Sequence, residues 1–133
     1  LTHLLEPGVA ATKRPRFDFN DSFDTAVFGE RFDFFLARSI WTHASKPQIR
    51  RMLDGFVRDR REGAVFLTSF LPASAEHLDH DGGEWVGTSH QSDVAGVIGH
   101  PLRWIEGECA ARGLRVSPRP EDDFQGQQWL VIR

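Results

Sequence analysis

The fold of this chain is decided by residues 31–71, which read RFDFFLARSIWTHASKPQIRRMLDGFVRDRREGAVFLTSFL. Residues 32–40 form an apolar run with little alternation, which is typical of a strand covered on both faces in a parallel sheet. Residues 64–71 form a second run of the same kind. Two such strands joined by a helix predict a right-handed βαβ unit.

The helix between these strands is predicted from its start and from its apolar face. Ser45 and Gln48 have the S-x-x-Q spacing of a capping box, and Pro47 suits the first turn. Gly63 is expected to end the helix. Apolar residues recur at i, i+3, i+4, i+7 and i+8, which is one face of an amphipathic helix: Ile49, Met52, Leu53, Phe56 and Val57.

Three more strands and one more helix are predicted outside this unit. Residues 16–20 alternate phenylalanine with polar residues, which indicates a short strand. Residues 101–112 carry an apolar face typical of a helix. Short strands follow at residues 114–117 and 128–133, separated by a polar, proline-containing turn. Because helices separate the strands, the sequence predicts an α/β sheet whose last two strands pair antiparallel.

The composition limits the classes of function. A chain of 133 residues suits a single domain with a real core. Its net charge of −3 gives no electrostatic reason to expect nucleic acid or an anionic membrane as a partner. No apolar run approaches the ~20 residues that span a bilayer. The single cysteine, Cys109, cannot form an internal disulfide and favours a cytoplasmic setting.

The order and content of these segments resemble the C-terminal half of a class I S-adenosylmethionine-dependent methyltransferase. The resemblance rests on FDFFLARSIWTH, the capped helix, GAVFLTSFL, and a final helix followed by GL, a strand and QQWLVIR. It implies an α/β, partial Rossmann-like methyltransferase fold, with a mainly parallel sheet and a C-terminal antiparallel strand. In the family's sheet order, 3-2-1-4-5-7-6, strands 3 to 7 would be residues 16–20, 32–39, 64–71, 114–117 and 128–133.

The family's cofactor signature has no counterpart in these residues. No G-x-G motif precedes a strand–helix boundary, the sequence begins at Leu1, and its only methionine is Met52. We therefore expect residues 1–133 to be a single methyltransferase-like domain truncated at its N-terminus. Strand 4 would then lie at an open edge, which natural proteins avoid. We expect this edge to be covered by residues 16–20 or by a second copy of the chain in a homodimer.

The resemblance implies two groups of contacts with S-adenosylmethionine. Asp21, Ser22 and Phe23 follow strand 3, where a carboxylate, a backbone N–H and an apolar ring would contact the adenine. An ordinary polar turn is the alternative interpretation. Ala37, Arg38 and Ser39 end strand 4, at the edge where open α/β sheets bind ligands. A backbone carbonyl there would lie near the methionine part of the cofactor, although Arg38 is equally suited to an ion pair with Asp21.

His43 is the candidate catalytic residue, because it follows strand 4 on the side where the family binds its acceptor. A histidine there can accept a proton from a reacting oxygen or nitrogen. The alternative is a loop histidine that caps the backbone or packs beside Trp41.

A metal site is the weaker interpretation of the polar segment between the strands and the last helix. The segment contains an H-x-x-H pattern, but its spacing matches no established metal motif, so a solvated loop is favoured and no metal is expected. The residues concerned are His77, Asp79, His80, Asp81 and His90.

The sequence thus predicts S-adenosylmethionine-dependent methyl transfer to a small-molecule acceptor by the full-length parent protein. The alternative is a non-catalytic remnant that serves as a binding or assembly module. A Gly-rich strand–turn–helix upstream of Leu1 in the coding sequence would favour the enzyme. A metal-dependent hydrolase is a weaker rival, which bound metal would support.

Overall fold

The computed structural model describes residues 8, 12–87 and 97–133, with the side chains of residues 120–124 excepted. A 3-10 helix at Thr25–Phe28 precedes the first strand. The main elements that follow are β1 (Phe32–Ala37), α1 (Lys46–Asp59), β2 (Arg60–Phe70), α2 (Leu102–Ala110), β3 (Val116–Phe124) and β4 (Gln127–Ile132).

The four strands form one sheet in the order β1-β2-β4-β3. β1 pairs parallel with β2, and β4 pairs antiparallel with both β2 and β3. β1, β2 and β3 therefore run in one direction and β4 runs against them. This order equals the 4-5-7-6 part of the sheet implied by the resemblance, so the predicted α/β, mainly parallel sheet with a C-terminal antiparallel strand is confirmed.

The central helix begins as predicted and ends earlier. The Ser45 N–H donates to Gln48 Oε1 at 2.9 Å, which is one half of the capping box. Of the five residues in the predicted stripe, Val57 is 38% exposed, and its assignment to the buried face is wrong. β2 begins directly after Asp59, so Gly63 does not end the helix. It lies at φ 76° in a bulge, where β2 has more residues than β1.

An aromatic cluster fills the space between the sheet and α1. The ring centroids of Phe35 and Phe56 lie 5.0 Å apart, and those of Phe56 and Phe66 lie 5.6 Å apart. Trp41 packs edge-on against Phe66 at 5.8 Å, and its indole N–H donates to the sulfur of Met52. Such pairs add about 0.5–1.5 kcal/mol each beyond the burial of their area. This cluster joins β1, α1 and β2 into one core.

The helix predicted at residues 101–112 is confirmed as α2. Ile105 and Cys109 are fully buried on its inner face. On its outer side Glu108 forms an ion pair with Arg50 of α1, with 2.7 Å between nitrogen and oxygen. None of the helices in the described ranges is long and apolar enough to span a bilayer.

Two strand predictions need correction. Residues 16–20 form no strand, and Phe19 is 84% exposed, because their alternating pattern has no strand beside it to pair with. The last hairpin is longer than predicted. Pro118 was expected in a turn but lies in β3 opposite Leu130, and an edge strand tolerates a missing N–H. The turn falls instead at Gln125 and Gly126, whose φ values of 53° and 74° fit a type I′ hairpin.

β1 lies at the edge of the sheet with one face uncovered. Phe34 is 74% exposed and Leu36 is 68% exposed, so the prediction that both faces of this strand are covered is wrong. The prediction that residues 16–20 pair with its edge is also wrong, since those residues join no strand. The homodimer through this edge stays a prediction.

Candidate functional site

Two grooves lie beside the carboxyl end of β1. The first, called here the β1 groove, has a volume of about 250 Å³ and lies between β1 and the segment that precedes it. The second, called here the carboxyl-edge groove, has a volume of about 410 Å³ and lies beyond the ends of β1 and β2. Residues lining the β1 groove include Asp18, Asn20, Phe23, Asp24, Leu36 and Ala37.

The wall of the β1 groove opposite the strand is a tightly folded loop at residues 20–24. Asn20 Oδ1 accepts hydrogen bonds from the Ser22 hydroxyl at 2.8 Å and the Asp24 N–H at 3.0 Å. Phe23 is held at φ 57°, in the left-handed region that a bulky residue rarely adopts. Strain of this kind is found preferentially at functional sites. The loop therefore holds the Phe23 ring against the groove in a fixed backbone conformation.

Asp24 supplies a carboxylate to this groove that the sequence did not single out. Its Oδ1 accepts from the Ala26 N–H at 3.0 Å and from Arg58 at 2.6 Å. These bonds, the backbone one first, hold the pKa of Asp24 below its usual value. Asp21 is exposed and does not line either groove. Ser22 lines a neighbouring cavity with Arg58.

The end of β1 is fixed by side chains of β2. Thr68 Oγ1 donates to the Ala37 carbonyl at 3.0 Å, and the Ser39 N–H donates to Ser69 Oγ at 2.8 Å. Ser39 has a φ of 55°, so the chain turns sharply as it leaves the strand. Arg38 is exposed at this turn. Ala37, before the turn, lines the β1 groove, and Ser39, at the turn, lines the carboxyl-edge groove.

The carboxyl-edge groove presents mostly uncharged hydrogen-bonding groups. Gln127 is buried there, and its Oε1 accepts from Ser69 Oγ at 2.8 Å and from Ser39 Oγ at 3.2 Å. This network leaves the groove with polar walls but no carboxylate, lysine or arginine among its described lining residues. Those residues are Ser39, Thr42, His43, Leu71, His77, Val97, Gln125 and Gln127.

His43 lies in this groove with only 9% of its surface exposed. Its Nδ1 lies 2.8 Å from the Val86 carbonyl oxygen. Because a carbonyl oxygen only accepts, Nδ1 carries the proton, and in the neutral ring Nε2 has the free lone pair. The ring stacks on Trp85 with 5.3 Å between centroids. Its bond to a backbone carbonyl also fits the alternative interpretation, a loop histidine bonded to the backbone.

The polar segment after β2 is attached to the start of α1. Lys46 Nζ bonds Asp79 at 2.9 Å and Asp81 at 2.5 Å, and the Ser45 hydroxyl donates to the Gly83 carbonyl at 2.8 Å. Burial opposes the charge on Lys46, but the two carboxylates outweigh it and raise the pKa of its amine. The part of this segment before residue 88 is a loop of mostly exposed residues, as was favoured from the sequence, and these bonds fasten it to the domain.

Asp79 and Asp81 bind Lys46. Among the side chains that the structure describes, no three or more from His, Cys, Asp or Glu converge on a metal position. His90 lies outside the described residues.

Comparisons with known proteins identify the fold. No protein-family model matches the sequence, and no curated protein matches it significantly. Among solved structures, an O-methyltransferase family protein from Burkholderia thailandensis matches 94% of this chain, with a TM-score of 0.61 and 17% identity. The glycopeptide N-methyltransferase MtfA in complex with S-adenosylmethionine matches 86%, with a TM-score of 0.56 and 12% identity. The sugar N-methyltransferase KedS8 from Streptoalloteichus sp. ATCC 53650 matches 93%, with a TM-score of 0.54 and 16% identity.

These matches cover most of this chain but only part of each relative. The chain spans 38% of the Burkholderia protein, 58% of MtfA and 65% of KedS8. At such low identity the likeness concerns the fold, and it confirms the resemblance to S-adenosylmethionine-dependent methyltransferases at that level. Activity has to be argued from the residues themselves.

Proposed function

We propose that this chain carries the acceptor side and part of the cofactor site of an S-adenosylmethionine-dependent methyltransferase that acts on a small molecule. The observation that carries the proposal is the position of two grooves beside the carboxyl end of β1, one with an aromatic ring and carboxylates and the other with a histidine. Ligands of open α/β sheets bind at this edge. The methyltransferase fold of the chain supports the same conclusion.

The β1 groove suits the adenosine part of the cofactor. The ring of Phe23 offers an apolar face for a base, and the Asp24 carboxylate, kept ionised by its lowered pKa, can accept from an exocyclic amine. Asp21 and Ser22 stay candidates from their sequence position, although Ser22 lines the neighbouring cavity and Asp21 lines neither groove. The backbone of Ala37, Arg38 and Ser39 would face the rest of the cofactor. Bound S-adenosylmethionine supplies an electrophilic methyl group on a sulfonium.

The carboxyl-edge groove suits an uncharged acceptor that bears a hydroxyl or an amine. Its described lining offers hydrogen bonds without a fixed charge, so a charged acceptor would lose hydration there without gaining a counter-ion. His43 takes at Nε2 the proton that the acceptor loses, while Nδ1–H stays bonded to the Val86 carbonyl. The groove walls would hold the acceptor so that its oxygen or nitrogen attacks the methyl group in line with the methyl–sulfur bond, which breaks as the new bond forms.

The test is an assay of methyl transfer from radiolabelled S-adenosylmethionine to a panel of small molecules that bear a hydroxyl or an amine. The full-length protein is the enzyme in this assay. His43→Gln should lower kcat by roughly 10²–10⁴-fold, the usual contribution of a general base. Leu78→Ala is the control, since Leu78 is 71% exposed and lines neither groove. An unchanged kcat in His43→Gln would show that His43 is not the general base of the reaction.

A non-catalytic binding or assembly module is the alternative, and it would use the exposed face of β1, which shares only Leu36 with the described lining of the β1 groove. The open edge of β1 and the exposed Phe34 and Leu36 favour it, and a homodimer through this edge is its simplest form. Substitutions separate the two functions, since an enzyme responds to a change at His43 and an assembly module to one at Phe34.

A cytoplasmic location also stays a proposal, and the single thiol supports it. Cys109 is fully buried, and burial raises its pKa to about 11. A thiol in this state is unreactive and acts as a small core residue. A chain without a disulfide suits a reducing compartment.

A further inference from the structure

Trp85 contacts one lining residue of each groove, Phe23 of the β1 groove and His43 of the carboxyl-edge groove. Its indole stacks on the His43 ring, with 5.3 Å between centroids and 21° between planes. The same indole stacks on Phe23, with 5.9 Å and 25°. Phe23, Trp85 and His43 therefore form one continuous aromatic stack, which runs from the wall of the β1 groove to the proposed base.

The His43 end of the stack is held by two neighbouring residues of the same segment. Trp85 supplies the stacking face, and the Val86 carbonyl accepts from Nδ1 at 2.8 Å. The Val86 N–H also donates to the His43 carbonyl at 2.9 Å. Because the ring contact and the hydrogen bond come from consecutive residues, a displacement of this segment changes the orientation of the imidazole directly.

The Phe23 end of the stack belongs to the strained loop of the β1 groove. Phe23 has a φ of 57°, and the loop is closed by the bonds that Asn20 accepts from Ser22 and Asp24. A ligand that packs on the Phe23 ring must either contact the ring beside Trp85 or displace Trp85 from it. The remainder of the Trp85 segment is fastened to α1 through Lys46, so movement of Trp85 is expected to be local.

We propose that Trp85 is a positioning residue that couples the loop at residues 20–24 to His43. A change at the Phe23 ring alters the packing of the indole, and the indole alters the orientation of the His43 ring and hence of its Nε2. The coupling between Phe23 and His43 depends only on the aromatic stack, whereas its consequence for catalysis rests on the proposed function. The proton acceptor of the carboxyl-edge groove would then be aligned in response to occupancy of the β1 groove.

Ligand-free NMR of the histidine ring protons tests the coupling in the full chain. Phe23→Leu should shift the His43 ring resonances in the protein that contains Trp85, and also in Trp85→Phe, which keeps an aromatic face. In Trp85→Leu the same Phe23→Leu change should leave them unmoved. The buried His100 is the internal control, because its ring lies tilted against Trp104 rather than against Trp85, and its unchanged resonances also report that each variant is folded.

Two outcomes of this experiment would overturn the proposal. One is the absence of any His43 shift on Phe23→Leu when Trp85 is present. The other is the same shift with and without Trp85, which would mean that Phe23 acts on His43 by another route. If Trp85→Leu does not fold, Trp85→Phe replaces it in the test. Because the phenyl ring is smaller than the indole, Phe23→Leu should shift the His43 resonances less in Trp85→Phe than in the protein with Trp85.

A second arm separates this proposal from the proposed function. S-adenosylhomocysteine should perturb both Phe23 and His43 in the wild type and in Trp85→Phe, but only Phe23 in Trp85→Leu. With an acceptor, Trp85→Leu should lose up to about 10²-fold in kcat, the scale of a misplaced reacting group, with less change in KM for the cofactor. Failure of the ligand to perturb Phe23 would contradict the proposed function, while the ligand-free shifts would still decide the coupling.

Discussion

The two faces of β1 differ in what covers them, although the same six residues build both. On one face Phe35 packs on Phe56 at 5.0 Å and on Phe66 at 6.1 Å, inside the core with α1. On the other face Phe34 and Leu36 are 74% and 68% exposed. An apolar strand sequence shows that both faces of the strand can be buried. Which face is buried depends on whether a helix or another element packs on it.

The covered face should dominate the stability of the domain. Phe56 is fully buried against Phe35 and Phe66, so Phe56→Ala should lower the free energy of unfolding by roughly 3–5 kcal/mol. Val57→Ala is the matched control from the same helix, because Val57 is 38% exposed, and it should change stability by about 0.5 kcal/mol or less. Equal denaturant midpoints for the two variants would show that the covered face is assigned wrongly.

The interior should also make stability depend on pH through His100. This residue is fully buried, its Nε2–H donates to the Ala44 carbonyl at 3.0 Å, and its Nδ1 has no partner in the described part of the chain. Burial lowers the pKa of His100 in the folded state below the ordinary 6.5. The unfolded chain therefore binds the proton first, and stability should fall as the pH drops from 6.5 towards the lowered folded pKa.

His100→Gln tests this pH dependence, since glutamine keeps a donor for the Ala44 carbonyl and does not titrate. Denaturation midpoints measured between pH 7.5 and about 5 should fall less steeply in the variant. Parallel pH profiles for the wild type and His100→Gln would show that His100 does not contribute.

The uncovered face should contribute little to the stability of one chain and much to association. Phe34→Lys should change the free energy of unfolding by about 0.5 kcal/mol or less, because Phe34 is mostly exposed. If two copies meet at this edge, light scattering should give a dimer mass for the wild type and a monomer mass for Phe34→Lys. A monomer mass for the wild type at high concentration would contradict the homodimer.

Local patterns in the sequence were enough to predict the frame of the fold. The capping box at Ser45, the apolar stripe and the two apolar runs predicted β1, α1 and β2, because each depends on residues close in sequence. The patterns gave wrong predictions where secondary structure depends on a neighbouring strand that is distant in sequence. Residues 16–20 alternate like a strand but have no strand to pair with, and Pro118 is accommodated in β3 because that strand lies at the edge.

The candidate site was predicted less completely, because its geometry depends on contacts between distant residues. His43 was found from its place after a strand, but its tautomer and ring orientation come from Val86 and Trp85, more than forty residues away. Asp24 looked like one acid among several until Arg58 and the Ala26 N–H fixed its carboxylate. Asp24 directly precedes Thr25, where the 3-10 helix begins, and an aspartate that can cap such a turn was the available signal.

The most direct test of the central proposal is an NMR titration of the protein with S-adenosylmethionine, read at backbone amides. The β1 groove predicts shifts at Phe23, Leu36, Ala37 and Ile40, which line it, with none at Arg115 or Arg133 at the opposite end of β4. Because no G-x-G motif precedes a strand–helix boundary in these 133 residues, binding should be weak, with a Kd on the order of 1 mM, or about −4 kcal/mol. Shifts confined to other surfaces, or none at the groove at millimolar cofactor, would contradict the proposal.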